Sequence, residues 1–277
     1  MLFSLAACTP GHYWYTERGD RVHEFFLEVE GRRVEVMAVR PKGRAPFPAV
    51  IFIHGSQGRA QRYRSIMLKL ARRGFATASI SLPGFGASEG LDDFAGPASV
   101  KSVLALIDYI SGRRYVMKDA MALYGIFRGA TVALLAASKS PLIGAVILQA
   151  GAYDMGEAYR TAPEDVRKRM GRILGGPPEE ASQAYRERSP LYSLEGLRAT
   201  VLIVHGKRTK RYPREQALIL RDALRRQGKR VRLELHSKED NEYVPDKRVI
   251  IDLMLPFLEE ELGLKEKRKR KPWWRIF

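Results

Sequence analysis

Gly125-Ile126-Phe127-Arg128-Gly129 stands between an apolar run, Ala120–Ile126, and a stretch of small residues, Arg128–Ser138. A strand, a sharp turn and a helix in that order is the arrangement that lifts the serine of a Gly-x-Ser-x-Gly turn into a site. Gly125 and Gly129 leave room for the strand and helix to approach closely. The middle residue here is Phe127, which has no nucleophilic atom. Other reactive groups gather at the ends of apolar runs: His54 and Ser56 in "IHGSQG", Ser88 in "PGFGASEG", His205 in "VHG" and His236 in "ELH". Ser56 with His54 or His236 is the one serine–histidine set that would replace a missing nucleophile. A strand-end histidine is more often a satisfied neighbour than a base, so a structural role is favoured. No run has metal-ligand spacing, and "GFGASEG" lacks the third glycine of a nucleotide fingerprint. Neither a metal nor a cofactor is expected.

The elements that position these residues alternate along the chain. "HEFFLEVEGRRVEVMAVRP" holds two alternating stretches around Glu30-Gly31, which predicts a hairpin. "PAVIFIH", "ATASISL", "AMALYGI", "IGAVILQAG", "TVLIVHG" and "RVRLELH" predict strands, the first of them apolar enough to be buried on both faces. Helical spacing falls between them: around Tyr63–Leu70, over Pro97–Ile110, Arg128–Ser138 and Pro213–Gln227, and last over Val244–Leu262. This alternation implies the α/β class, with a mostly parallel central sheet and helices on both faces. Such a sheet carries its chemistry in the loops at the carboxyl ends of its strands. One interval breaks the rhythm. Residues 152–198 hold two short helical stretches, "PEDVRKRMGRIL" and "PPEEASQAYRER", and read as a helical cap inserted over a pocket.

This order resembles the α/β-hydrolases, specifically the dienelactone hydrolases and the catalytic domain of the prolyl oligopeptidases. Four motifs carry the resemblance across roughly residues 22–264. His54-Gly55-Ser56-Gln57-Gly58 is similar to the oxyanion loop, and "LPGFGASEG" to a Pro-Gly-x-Gly-x-Ser loop. "GIFRG" matches the nucleophile elbow. "ERSPLYSLEGLRATVLIVHGKRTKRYP" is similar to a Ser-Pro segment, strand and His-Gly-x-x-Asp-x-x-Val-Pro loop. The resemblance implies a serine esterase or peptidase ancestry, and a small ester- or acyl-type ligand beneath the cap. The backbone N–H groups of Ser56 and Arg128 would be its oxyanion donors.

The catalytic positions depart from that pattern. The nucleophile position holds Phe127, the acid position Thr209, and the best match to the histidine position is Asn241. Phenylalanine cannot attack, asparagine cannot shuttle a proton, and threonine cannot stabilise an imidazolium as a carboxylate does. Asp154 is an alternative acid, because some members of the fold place it after an earlier strand. With no attacking atom, however, no acid compensates. The sequence therefore reads as a pseudoenzyme: hydrolytically inactive, with ligand binding retained. An active ester or peptide hydrolase using a non-standard site and a membrane- or polyanion-associated binding module are the alternatives. The elbow demands a strained backbone, which costs phenylalanine of order 1–3 kcal/mol and gives the turn a reason to relax.

Composition bounds the rest. The 277 residues suffice for one large domain, and 45% hydrophobic with 29% charged residues is a globular balance. No apolar run approaches the ~20 residues of a membrane-spanning helix. Cys8 is the single cysteine, which excludes an intrachain disulfide. "LAAC" before Thr9 resembles the lipobox of bacterial lipoproteins, with Cys8 as the lipidated residue, although the charged region and full apolar stretch of a complete signal are missing. Residues 1–21 are accordingly read as a leader, and the compartment as either a bacterial membrane surface or the cytoplasm. Net charge is +17, and the tail 265–277, "KEKRKRKPWWRIF", supplies seven bases against one acid, leaving +11 for the rest. Basic residues next to tryptophan suit an anionic membrane surface. Nucleic acid is disfavoured as a partner, and a solvated tail remains the plainest reading.

Overall fold

The computed structural model describes residues 11–56, 58–206, 212–236 and 249–264. Among these described residues nine strands form one sheet: β1 (His12–Tyr15), β2 (Arg21–Val29), β3 (Arg32–Arg40), β4 (Phe47–Ile53), β5 (Ala76–Ile80), β6 (Val116–Ile126), β7 (Ile143–Gln149), β8 (Thr200–Gly206) and β9 (Val231–His236). Their spatial order is β1-β2-β3-β5-β4-β6-β7-β8-β9. The first three strands are antiparallel to one another, and β3 lies antiparallel to β5. From β4 to β9 every pairing is parallel. The hairpin between β2 and β3 turns at Glu30 and Gly31, both at positive φ.

Helices cover both faces: α1 (Arg64–Ala71), α2 (Pro97–Ser111), α3 (Arg128–Ala137), α4 (Met155–Thr161), α5 (Glu164–Leu174), α6 (Ser182–Glu187), α7 (Arg214–Arg226) and α8 (Leu255–Glu261). The period-two alternation of β4 divides the core. Ala49, Ile51 and Ile53 face a cluster that includes α2, α3 and α7. Val50 and Phe52 face a second one with α1, α8 and the cap helices. Being buried on both sides explains why β4 reads as an unbroken apolar run.

Several elements differ from the sequence reading. Residues 12–15, taken there with the leader, form β1 and pair with β2. The interval between β7 and β8 holds three α-helices, not two, because Asp154 starts α4 ahead of the two expected. The last helix was expected over Val244–Leu262. Its described part opens as a π-helical stretch, Val249–Met254, before α8. The carboxyl ends of the parallel strands share one edge of the sheet, where the loop after β4, the loop after β5, the β6–α3 turn and α4–α6 converge.

Candidate active site and its closed elbow

The β6–α3 turn is as tight as the sequence demands. A Cβ on Gly125 would lie 2.2 Å from the Gly129 carbonyl oxygen, and one on Gly129 would lie 2.3 Å from the Ile53 carbonyl oxygen. Only glycine fits at either place. Phe127 sits between them at φ 52° and ψ −121°, a left-handed conformation that a bulky residue adopts only under constraint. Its N–H donates to the Gln149 carbonyl (2.9 Å), and its own carbonyl accepts from Ala130 N–H (3.0 Å). The turn has therefore not relaxed. Its backbone is held on both sides whatever the side chain, and the expectation of relaxation is overturned for that reason. The phenyl ring is buried, with its centroid 6.4 Å from that of Tyr212. It also lies against the loop after β4: a Cβ on Gly55 would be 3.1 Å from the Phe127 Cβ and Cδ2.

That loop uses His54 as a brace. His54 is fully buried, its Nδ1 donates to the Gly55 carbonyl (2.6 Å), and its Nε2 accepts from Leu82 N–H (2.9 Å). Both ring nitrogens are occupied in the neutral form. Burial pushes its pKa down to about 4; the Gly55 bond opposes this and the Arg128 guanidinium adds to it. A histidine so held has no lone pair for a substrate proton. His205 is also buried, bonded through Nε2 to the Tyr212 carbonyl (2.9 Å), and lowered chiefly by burial. Gly58 is required by His54, since a Cβ there would fall 2.4 Å from the His54 Cβ.

The serines are committed as well. Ser88 Oγ donates to the Ser81 carbonyl (2.6 Å) and accepts from Glu35 N–H (2.8 Å). Ser56 Oγ accepts from Arg128 Nε (3.0 Å).

Arg128 is the residue whose side chain the sequence reading missed. Only its backbone donor, in the first turn of α3, was anticipated there. The guanidinium is 3% exposed. Its Nη1 donates to both Asp92 carboxylate oxygens (2.7 and 2.9 Å), and its Cζ lies over the rings of Phe94 (4.6 Å) and Phe85 (5.2 Å). Asp92 also accepts from Arg169 of α5 (2.7 Å). Burial alone would raise the Asp92 pKa. Attraction and hydrogen bonds from Arg128, the Phe94 N–H and Arg169 outweigh it and hold the carboxyl below its ordinary value. One carboxylate thus joins the elbow to the cap. A second tie runs from Arg188 Nε to the Asp93 carbonyl (3.0 Å).

Comparison with known proteins bears on this arrangement. The model of the X-Pro dipeptidyl-peptidase (S15) family matches residues 30–163. The uncharacterized peptidase YtmA of Bacillus subtilis is 23% identical over 229 residues, 80% of this chain and 88% of the relative. Acetyl xylan esterase 1 from Thermoanaerobacterium sp. JW/SL YS485 superposes with a TM-score of 0.75 at 15% identity, over 92% of this chain and 88% of its own. This chain has the α/β-hydrolase fold. A puromycin-hydrolyzing peptidase of Mycobacterium tuberculosis shares it with a TM-score of 0.77 at 20% identity, over 89% of this chain and 40% of that one. The fold is the one that these esterases and peptidases share.

In α/β-hydrolase terms, the structure brings Phe127, Arg128, Ser56, His54 and Gly55 to one place at the carboxyl edge. Thr209 and Asn241, matched to the acid and histidine positions, lie outside the described residues, as do Cys8 and the tail. Asp154 is the N-cap of α4, its Oδ1 accepting from Glu157 N–H (2.9 Å). Its backbone is held by the buried Gln216, whose Oε1 accepts from the N–H groups of Tyr153 (2.7 Å) and Asp154 (2.9 Å). Gln216 and Asp92 were invisible in the sequence for the same reason. Each is a single polar residue with no motif around it, and only the fold brings its partners near.

Proposed function

We propose that this α/β-hydrolase-fold protein does not hydrolyse esters or peptides by the serine mechanism and acts by binding a small acyl- or ester-type ligand. The observation that carries the reading is Phe127, a buried ring at the nucleophile position that packs against Gly55 of the oxyanion loop. The ring stands where an acyl group would have to enter. Support also comes from the groups that would form a substitute set, since His54, Ser56 and Ser88 each hold structural partners. A cavity of about 620 Å³ beside the oxyanion loop, lined by Arg59, Gln61, Arg62 and Phe85, has the size of a small-molecule site and a cationic lining suited to an acid or an acyl anion.

The test compares the protein with Phe127→Ser/Thr209→Asp/Asn241→His, using a fluorophosphonate probe and p-nitrophenyl acetate. The expected result is no covalent labelling of the unmodified protein and labelling of the triple variant at position 127. Labelling of the unmodified protein at any serine would refute the reading.

A further inference from the structure

The positive charge of this chain is not spread evenly over its fold. The six parallel strands all begin at one edge of the sheet, opposite the elbow and the cap. Each is reached through a short turn that carries an exposed base: Arg44 before β4, Arg73 before β5, Arg114 before β6, Lys139 before β7, Arg198 before β8 and Arg230 before β9. Together these turns (residues 41–46, 72–75, 112–115, 138–142, 193–199 and 227–230) contain ten Lys and Arg and one acid, Glu195. Neighbouring strands are ~4.8 Å apart, so the row of bases runs for roughly 25 Å. The cap offers a control within the same molecule. Residues 154–192 hold seven bases and seven acids, a balance of zero.

The end of α8 lies at the same edge. Glu261, at the end of α8, accepts from Thr200 Oγ1 at the start of β8 (2.7 Å) and pairs with Arg230 (3.0 Å). Leu262 lies over Gly144 at the start of β7, where an added Cβ would be 3.6 Å from its Cδ2. The last described residues therefore lie at the basic edge, and the sequence that follows them, 265–277, has seven bases and two tryptophans. Among the described residues no helix is long and apolar enough to cross a membrane.

We propose that the amino edge of the sheet is a docking face for an anionic lipid surface. A row of exposed bases with one acid among its turns complements the phosphate and carboxylate headgroups of an anionic leaflet. Docked by this face, the protein holds its elbow and cap away from the lipid, open to solvent. The inference is independent of what happens at Phe127.

The experiment is sedimentation of the full chain with phosphatidylcholine vesicles, with or without about 30% phosphatidylserine. Two charge-reversal variants are run beside it: Arg73→Glu/Arg114→Glu/Lys139→Glu on the edge and Arg167→Glu/Lys168→Glu/Arg172→Glu on the cap. Both change the net charge equally, and thermal melts verify that both fold. The expected result is binding to the anionic vesicles only, reversed between about 0.1 and about 0.5 M salt. The edge variant should lose about tenfold or more and the cap variant less than about twofold. Equal losses in the two variants would reduce the effect to net charge and overturn the proposal. So would an edge variant that binds as well as the parent, which would assign all binding to the tail. Tighter binding to a single-stranded oligonucleotide than to anionic vesicles, at the same salt, would replace lipid with nucleic acid and also overturn it.

Discussion

Asp92 has two arginine partners of unequal worth. Arg128 is 3% exposed, so its charge depends on that carboxylate; Arg169 is 46% exposed and has water as an alternative. Removing one member of a buried pair strands the other and costs about 3 kcal/mol or more, whereas an exposed pair is worth less than about 1 kcal/mol. Asp92→Asn is accordingly expected to lower unfolding stability in urea by about 3 kcal/mol, and Arg169→Ala by less than about 1 kcal/mol. The pH dependence has a definite sign. The folded Asp92 carboxyl is held below its ordinary 3.8. Its contribution is complete above that pH and is lost as the pH falls through the lower, folded value. Melts taken below pH 4 should show an acid loss in the parent that is smaller in Asp92→Asn. An unchanged slope would mean that the carboxylate does not hold Arg128.

The elbow is a property of β6 and α3 taken together. Gly125→Ala and Gly129→Ala each put a methyl group within 2.3 Å of a backbone oxygen that cannot move alone. Each is expected to cost at least 1–3 kcal/mol, measured by urea unfolding. A mild effect at both would show that the strand and helix can separate. This element was legible in advance because its constraint is local: two glycines, an apolar run and a small-residue helix stand in one stretch of chain. The parallel strands were legible for a similar reason, since burial on both faces leaves a continuous apolar signature. β1 escaped because it has four residues and three of them are exposed, which leaves no alternation to read. α4 escaped because it is a short, mixed segment whose start is fixed by an N-cap and by Gln216, 62 residues away. The Arg128–Asp92–Arg169 bridge was illegible for a deeper reason. Opposite charges occur throughout the chain, and only the converged loops choose which of them meet.

At the scale of the whole molecule, one buried and one half-buried histidine make the fold acid-sensitive. Burial holds His54 at about 4, and His23 is lowered to about 4 by burial and by Arg21 and Arg113. The unfolded chain takes up protons at these residues below about pH 6.5 while the folded one does not. Stability must therefore fall as the pH drops from about 6.5 towards 4, with His54 contributing up to roughly 3 kcal/mol. Tm followed from pH 7 to pH 4.5 should decline, and His54→Gln, whose amide oxygen reaches the Nε2 position and keeps an acceptor for Leu82, should flatten the decline. A flat parent profile would contradict the buried, neutral state of His54.

The wound backbone at Phe127 has one more consequence, which concerns what can be made from this protein. The turn is held by hydrogen bonds to the Gln149 carbonyl and from the Ala130 N–H and by the close approach at two glycines, none of which uses the residue's side chain. Position 127 is thus a prefabricated socket. A cysteine or a serine placed there inherits the exposed-nucleophile geometry with no backbone to rebuild, and gains room where the ring was. The scarce part of a nucleophile elbow is its fold. This chain retains that part, so new reactivity can be installed by changing side chains alone.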